Sequence, residues 1–261
     1  MGKIISFDLD MTLIDHKQGF IIPQSAVDTI HKLHKNNKIV IATGRDLSLD
    51  IGMDILNMIQ PDAVIHMNGA RVEMCGRNLF EKHLPKQKFN ELIQVALSRK
   101  WCVGSNVNGI YYCTNPDVLR KREENLLGRP IHNAQEHFEL LHQDNIFTAN
   151  AFENQYDIDR LALEFPEFYF AKYGAKYGCD IVAAGVSKAE GMKVLLKEWS
   201  ADFTDVIAVG DSANDIDLLK IAGMGIAMGN ATSDVKEVAD YITTDISKEG
   251  IYHAFKYLNM I

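Results

Sequence analysis

The chain has 261 residues, of which 47% are hydrophobic and 24% are charged, and its formal net charge is −8. This composition is typical of a soluble globular protein long enough for two small domains, and its acidic charge argues against a nucleic-acid-binding surface. The sequence has neither an apolar run near the roughly 18 residues of a membrane span nor the basic start and long apolar stretch of a signal peptide. Its four cysteines are scattered without a CxxC spacing, which favours reduced thiols. We therefore expect a cytoplasmic protein with no nucleic-acid or membrane partner.

The first third of the chain alternates apolar runs with segments in which hydrophobic residues recur at helical spacing. The predicted strands are 4–7, 39–43 and 63–67. A first predicted helix starts at Pro23 with Ser25 as its cap, and a second stops before Pro61. This alternation predicts a parallel sheet with helices on both faces.

The pattern changes near Glu81. The predicted elements of the middle section are helices at 89–97 and 157–164 and strands at 110–114, 147–149 and 168–171. The polar stretch 121–142 shows no clear order. We interpret 83–185 as an α+β domain inserted into a core that is formed by 1–82 and 186–261.

Strand and helix alternate again from Ser187 onward. The predicted elements are a helix with Met192 and Trp199, a strand at 206–210, a helix through 218–219, a strand at 225–228, a helix around 235–239, a strand at 241–243 and a last helix with Ile251 and Phe255. This part resumes the parallel-sheet pattern, so we assign both flanks of the insertion to one core domain.

Polar blocks stand where the predicted core strands end and where one helix begins. Asp8 and Asp10 follow the first strand, and Thr43 ends the second. Asp211 follows the strand 206–210, and Lys188 begins a helix. Because the carboxyl ends of parallel strands meet at one edge of a sheet, we expect these side chains to converge there. Taken singly, an acid pair at a strand end is also typical of a solvated turn, and a lysine of a solvated charge.

Together and in this order, the blocks resemble the four motifs of the haloacid dehalogenase (HAD) superfamily of phosphatases, and their framing resembles its Cof-type branch. The resemblance covers essentially the whole chain and implies an α/β fold, with a Rossmann-like parallel core and an inserted α+β cap domain. Thr12 and Thr43 lie close in sequence, whereas the stretch from Thr43 to Lys188 is long enough to hold a domain. This placement resembles that of the C2-cap enzymes and disfavours the β-phosphoglucomutase-like branch.

The chemistry that these residues suit is phosphoryl transfer, which needs an aligned nucleophile, charge neutralisation and protonation of the leaving oxygen. We assign Asp8 as the nucleophile that forms an aspartyl-phosphate. Asp10 would protonate the leaving group and then activate the water that cleaves the intermediate. Thr43 and Gly44 would bind phosphate oxygens near a helix start, and Lys188 would act as a point charge on the phosphate and the nucleophile.

The resemblance further implies a Mg²⁺ ion held by the carboxylates of Asp8 and Asp211 and the backbone carbonyl of Asp10. An oxygen-rich set of ligands is what Mg²⁺ prefers. Asn214 would contact phosphate. Asp215 would bind the metal through water or orient the lysine.

Three further side chains have supporting or open assignments. Thr12 is expected to orient Asp10 by a hydrogen bond. Arg45 is a candidate substrate or phosphate contact, with a structural ion pair as the alternative. Asn68 is a candidate substrate contact.

Two residues depart from the family pattern, which usually has glycine at both places. Met11 stands between the second acid and the threonine of the first motif, and Ala189 follows the motif lysine. Methionine is costly at position 11 if the backbone there has a positive φ. Neither change removes a reacting group.

We expect a Mg²⁺-dependent phosphohydrolase of a small phosphorylated metabolite, such as a sugar phosphate, that is a monomer or a homodimer. A phosphotransferase or mutase shares the first half of this reaction. A non-catalytic phosphate-binding regulator also uses an aspartyl-phosphate, but it has no use for an acid such as Asp10 placed to hydrolyse it.

Overall fold

The computed structural model describes residues 2–48, 50–107, 110–127, 138–142, 145–173 and 177–261. The chain divides into two compact units. The core unit comprises Met1–Glu81 and Ser187–Ile261, and the inserted unit comprises Lys82–Val186. Part of the polar stretch 121–142 falls outside the described residues.

Strands and helices alternate along most of the core unit and mix in the inserted unit. The strands are β1 (Ile4–Phe7), β2 (Lys38–Ala42), β3 (Ala63–His66), β4 (Arg71–Met74), β5 (Arg77–Glu81), β6 (Val103–Val107), β7 (Ile110–Cys113), β8 (Ala149–Asn154), β9 (Phe168–Lys172), β10 (Tyr177–Ala183), β11 (Val206–Gly210), β12 (Met224–Ala227) and β13 (Tyr241–Ile242). The helices are α1 (Gln24–His34), α2 (Asp50–Ile59), α3 (Lys86–Arg99), α4 (Pro116–Leu127), α5 (Gln155–Glu164), α6 (Lys188–Trp199), α7 (Ile216–Ile221), α8 (Ser233–Val238) and α9 (Gly250–Tyr257).

The core unit is built on one sheet with the strand order β13-β12-β11-β1-β2-β3-β4-β5. The strands from β13 to β3 run parallel, so the predicted α/β class with a parallel sheet is confirmed. β1 lies in the middle, where Ile4 is in register with both Lys38 and Val206. Every residue of β1 is buried, as expected for a parallel strand covered on both faces.

The last two strands of this sheet, β4 and β5, form an antiparallel hairpin that was not predicted from the sequence. Its tight turn is Cys75-Gly76, and both residues have positive φ values, 50° and 73°. Two-residue hairpin turns need this backbone, which Asn-Gly or Asp-Gly usually provides. Because cysteine stands in the first turn position here, the sequence of this turn lacks the dipeptide that usually indicates a hairpin.

The helices of the core unit pack in two groups that flank the sheet, α1 with α2 and α9, and α6 with α7 and α8. The rings of Phe7 in β1 and Phe255 in α9 lie 5.6 Å apart, and both side chains are fully buried. α1 begins at Gln24 after Pro23, which makes no side-chain capping bond. The expected cap Ser25 therefore lies inside the helix. Proline suits this place because its fixed φ is compatible with a helix start.

The inserted unit contains a five-stranded antiparallel sheet with the order β7-β6-β8-β10-β9, which fits the expected α+β cap. Phe89 and Leu92 of α3 and Ile158 of α5 contribute to its hydrophobic cluster. The predicted strand at 147–149 was misplaced, because β8 runs from Ala149 to Asn154. β6 and β10 were not predicted, since glycine and polar residues interrupt their apolar pattern.

The structure describes all four cysteines, and none of them forms a disulfide bond. Across the residues that the structure describes, no helix combines the length and the hydropathy needed to cross a bilayer.

Candidate active site

The chain turns sharply after β1, and this turn holds Asp8 at the edge of the sheet. The backbone N–H of Asp8 still donates to the carbonyl of Val209 in β11, at 3.0 Å. The amides of Leu13 and Ile14 then both donate to the carbonyl of Leu9, at 2.8 and 2.7 Å. Asp8 therefore remains part of the buried sheet edge and is only 5% exposed.

Met11, in this turn, has φ of 60°, so the condition that makes a side chain costly there is met. A left-handed backbone costs a non-glycine residue roughly 1–2 kcal/mol. Two hydrogen bonds hold this backbone: the amide of Met11 donates to the carbonyl of Ile14 at 2.9 Å, and the Asn230 side chain donates to the carbonyl of Met11 at 2.7 Å. The turn is kept despite the missing glycine.

Lys188 places a fully buried ammonium group between two carboxylates. Its Nζ donates to Oδ1 of Asp8 at 2.6 Å and to Oδ1 of Asp215 at 2.7 Å. Burial by itself would lower the pKa of Lys188, but the charges of Asp215 and Asp8 outweigh it and hold the pKa above its usual range. The lysine is therefore charged and fixes the rotamers of both acids.

Two glycines make room for this arrangement. Ser187 caps α6 by accepting a hydrogen bond from the Glu190 amide, so Lys188 is the first helical residue. A Cβ on Gly69 would lie 2.1 Å from the carbonyl oxygen of Ser187, so the turn after β3 touches the head of α6. A Cβ on Gly210 would lie 2.3 Å from Cγ of Asp215. Glycine at the end of β11 thus leaves space for this carboxylate.

A cluster of three buried acids surrounds the lysine. Carboxylate oxygens of Asp8, Asp211 and Asp215 lie within 4.8 Å of one another. The second oxygen of Asp215 accepts the amides of Asp211 and Ser212, at 3.0 and 3.1 Å. Thr12 was expected to orient Asp10, but its hydroxyl donates to Asp211 instead, at 3.0 Å. The turn after β1 carries this side chain toward β11.

The cluster holds three acids and one lysine, and the pKa values of Asp8 and Asp211 are raised. Burial raises the pKa of Asp8 from 3.8 to about 7, although the charge of Lys188 opposes the change. Burial, and after it the charge of Asp8, raises the pKa of Asp211 well above its usual range. A bound cation would offset the free-energy cost of ionising each buried carboxylate. Three carboxylates form an all-oxygen donor set, which fits Mg²⁺.

Asp10 lies outside this cluster and has its own partners. Arg45 donates from Nε to Oδ2 at 2.8 Å and from Nη2 to Oδ1 at 2.6 Å, and His16 donates from Nε2 to Oδ1 at 2.6 Å. Burial alone would raise the pKa of Asp10, but the hydrogen bonds of His16 and Arg45 outweigh it and hold the pKa well below its usual range. Of the two roles considered for Arg45, the structure shows the ion pair, which it forms with Asp10. His16 was missed because nothing in its local sequence points to Asp10.

Thr43 is fully buried after β2, and its hydroxyl accepts the amide of Arg45 at 3.0 Å. Its own amide donates to the carbonyl of Ile65 in β3, at 2.9 Å. Gly44 follows but does not open a helix, since α2 begins only at Asp50. The expected contribution of a helix dipole at Gly44 was therefore wrong.

A family model described as haloacid dehalogenase-like hydrolase matches residues 5–255 of the chain. The chain belongs to the HAD-like hydrolases. The resemblance to HAD phosphatases of the Cof type is thereby confirmed.

Two relatives and one solved structure match this HAD-like hydrolase over nearly its whole length. YkrA of Bacillus subtilis (strain 168), provisionally named a phosphatase, is 29% identical over 100% of this chain and 99% of its own length. The phosphatase YwpJ of the same organism is 26% identical over 98% of this chain and 99% of its own. BT1666 from Bacteroides thetaiotaomicron, a HAD phosphatase structure, is 27% identical with a TM-score of 0.89 and covers 100% of this chain and 96% of its own. The chain is a HAD-family phosphatase.

In this HAD-like hydrolase, two asparagines from distant loops are joined. Asn214 donates from Nδ2 to Oδ1 of Asn68 at 2.8 Å, and its own Oδ1 accepts the hydroxyl of Ser212 at 2.8 Å. Asn68 is 1% exposed and has φ of 57°, a conformation that asparagine tolerates better than most residues. Asn68 was considered as a substrate contact, and in the structure it orients Asn214.

Proposed function

We propose that this phosphatase is a Mg²⁺-dependent hydrolase of small phosphate monoesters, such as sugar phosphates, and that it works through an aspartyl-phosphate on Asp8. The observation that carries the proposal is the buried cluster of Asp8, Asp211 and Asp215 around one lysine. A cluster with this excess of negative charge is poised to bind a cation, and a bound cation and Lys188 together attract a phosphate dianion.

The residues that would hold the ion are Asp8 and Asp211, with the backbone carbonyl of Asp10, while Asp215 orients Lys188 or acts through water. The ion would supply charge neutralisation for the transferring phosphoryl group. The fit rests on the donor set, which offers oxygen ligands only.

In the first half-reaction, a carboxylate oxygen of Asp8 forms a bond to phosphorus while the bond from phosphorus to the ester oxygen breaks. Asp10 gives its proton to the departing oxygen. In the second half, Asp10 takes a proton from water, whose oxygen attacks phosphorus and releases inorganic phosphate and the Asp8 carboxylate. Lys188 holds Asp8 in one rotamer, which aligns the nucleophile before substrate arrives.

The contacts of Asp10 match the second half of this cycle, because an ionised carboxylate is the form that accepts a proton. For the first half, Asp10 has to be protonated. A phosphate dianion competes with Asp10 for the guanidinium of Arg45, since bidentate pairing with phosphate is strong. Transfer of Arg45 to the substrate would relieve Asp10 of its closest positive charge.

We assign phosphate binding to Thr43, Gly44 and Asn214, which lie in separate loops of the core unit on either side of the insertion. The pair that Asn214 forms with Asn68 supports its role, because it orients the Asn214 side chain. We assign to the inserted unit the role of a C2-type cap that selects the substrate and limits the access of water.

The test is phosphate release from a panel of small phosphate esters by protein treated with EDTA, before and after addition of Mg²⁺. Asp8→Asn removes the nucleophile. Asp217→Asn is the matched control, because Asp217 is an acid in the same segment that lies outside the cluster. The proposal expects release that needs both Mg²⁺ and Asp8 and is unchanged in the Asp217 variant. Folded wild-type protein that releases no phosphate from any ester, or an active Asp8→Asn variant, would contradict it.

A further inference from the structure

A small closed loop between β1 and α1 presents His16 to Asp10. The loop is closed at its base, where the Asp15 amide donates to the carbonyl of Ile21 at 2.9 Å and the Phe20 amide donates to the carbonyl of Asp15 at 3.0 Å. A short 3-10 helix, His16–Gln18, forms its tip and is capped by the Asp15 side chain. These bonds give the loop a defined shape.

Phe20 holds the ring of His16 within this loop. The two rings stack with centroids 4.5 Å apart and an interplanar angle of 30°. Phe20 is 54% exposed and has φ of 61°, which is an unfavourable conformation for an aromatic residue on a surface. In this conformation the Phe20 ring stacks on His16, and the stacking restricts the imidazole to one orientation.

His16 and Arg45 place three donors on the two oxygens of Asp10. The two anchors differ in stiffness. Arg45 is a long side chain, 36% exposed at the side chain, and it reaches Asp10 through several rotatable bonds. His16 has two rotatable bonds and a stacked ring. When Arg45 turns to the substrate phosphate, His16 is the contact that keeps Asp10 in place.

We infer that His16 is a positioning residue that holds the Asp10 carboxyl group in reach of the leaving oxygen. The inference rests on the proposed function, in which Asp10 exchanges protons with the leaving group and with water. Proton transfer needs heavy atoms about 2.6–3.2 Å apart, and a misplacement of about 1 Å can cost on the order of 100-fold in rate.

The test compares two esters that differ in their need for an acid. The alkyl ester that the wild-type protein hydrolyses best has a leaving alkoxide that needs a proton, whereas p-nitrophenolate leaves without one. The ratio kcat/KM reports the steps up to departure of the leaving group. We expect His16→Phe, which keeps a ring for Phe20, to lower kcat/KM about tenfold for the alkyl ester and less than about twofold for p-nitrophenyl phosphate.

His16→Gln supplies an amide N–H near the position of Nε2, and we expect it to restore most of the loss. Asp10→Asn should show the same selectivity between the esters as His16→Phe, only larger. Gln18→Ala, an exposed residue of the same 3-10 helix, should leave both rates unchanged.

Melting temperatures of all variants separate a folding defect from misplacement of Asp10. A wild-type protein inactive on both esters would overturn the proposed function. An active wild-type protein in which His16→Phe is harmless, or slows both esters equally, would overturn the role of His16 alone. Failure of His16→Gln to recover the alkyl ester would do the same.

Discussion

Replacing Asp8 by asparagine is expected to stabilise the metal-free protein, by an amount that grows as the pH rises from about 4 to about 7. Burial raises the pKa of Asp8 from 3.8 to about 7. Each tenfold change in proton affinity corresponds to about 1.4 kcal/mol, so the raised pKa of Asp8 corresponds to at most about 4 kcal/mol. The asparagine amide would avoid this cost and still offer an oxygen to Lys188.

The direction of the pH dependence follows from whether the folded or the unfolded protein binds the proton of each group more tightly. Because the pKa of Asp8 is raised by folding, its contribution stabilises the protein below about pH 4 and is lost as the pH rises to about 7. Asp211 acts in the same direction. The pKa of Asp10 is lowered, so its stabilising contribution is complete above its usual value of about 4 and is constant in this window. The raised pKa of Lys188 matters only above about pH 10.

The assay is thermal unfolding in EDTA, at intervals between about pH 5 and pH 8, of the wild-type protein, Asp8→Asn and the control Asp217→Asn. At about pH 8 we expect Asp8→Asn to gain about 2–4 kcal/mol, or on the order of 5–15 °C in Tm for a chain of this size. At about pH 5 the gain should be less than half as large. Addition of Mg²⁺ at the higher pH should raise the Tm of the wild-type protein more than that of the variant, because a bound cation favours ionised Asp8.

An equal gain at both ends of this pH range would refute the reasoning, since it would separate the effect from ionisation. Absence of any gain at the higher pH would show that Lys188 fully compensates the buried charge of Asp8. The same pH dependence in Asp217→Asn would point to the net charge of the chain instead.

Three further substitutions test the same cluster. Lys188→Met leaves buried carboxylates without their cation and should lower the free energy of unfolding in EDTA by about 3–5 kcal/mol; an unchanged urea midpoint would contradict this. Gly210→Ala brings a Cβ to 2.3 Å from Cγ of Asp215 and should weaken Mg²⁺ binding by about 10–100-fold, measured by calorimetry; wild-type affinity would mean that the carboxylate moves freely. Thr12→Val removes the 3.0 Å hydrogen bond to Asp211 and should weaken Mg²⁺ binding about tenfold, whereas Thr12→Ser should not; equal affinities of the two variants would argue against this bond.

The sequence was most informative about polar residues that directly follow a buried strand, because parallel strands end at a shared edge of the sheet. Asp8 and Asp211 each follow a run of buried residues, and β1 and β11 are neighbours in the sheet. Parallel neighbours end at the same edge, so residues far apart in the chain become close in space. Lys188 was recognisable as a helix start because Ser187 is a good N-cap.

The sequence was least informative for the partners of individual side chains. The bond from Thr12 to Asp211 and the contacts of Arg45 and His16 with Asp10 leave no local signature. They lie around a turn whose backbone is left-handed at Met11. A backbone conformation that glycine usually provides is hard to recognise when methionine occupies it.

By itself, the sequence determined the α/β class and the polar blocks at the strand ends, because these depend on hydrophobic periodicity and on short capping and turn signals. Only the tertiary structure decided that Asp10 pairs with Arg45 and His16 and that Asp215 shares Lys188 with Asp8. The physical reason is range: periodicity reports which face of an element is buried, whereas an ion pair depends on how several turns, far apart in the chain, aim two side chains at one point.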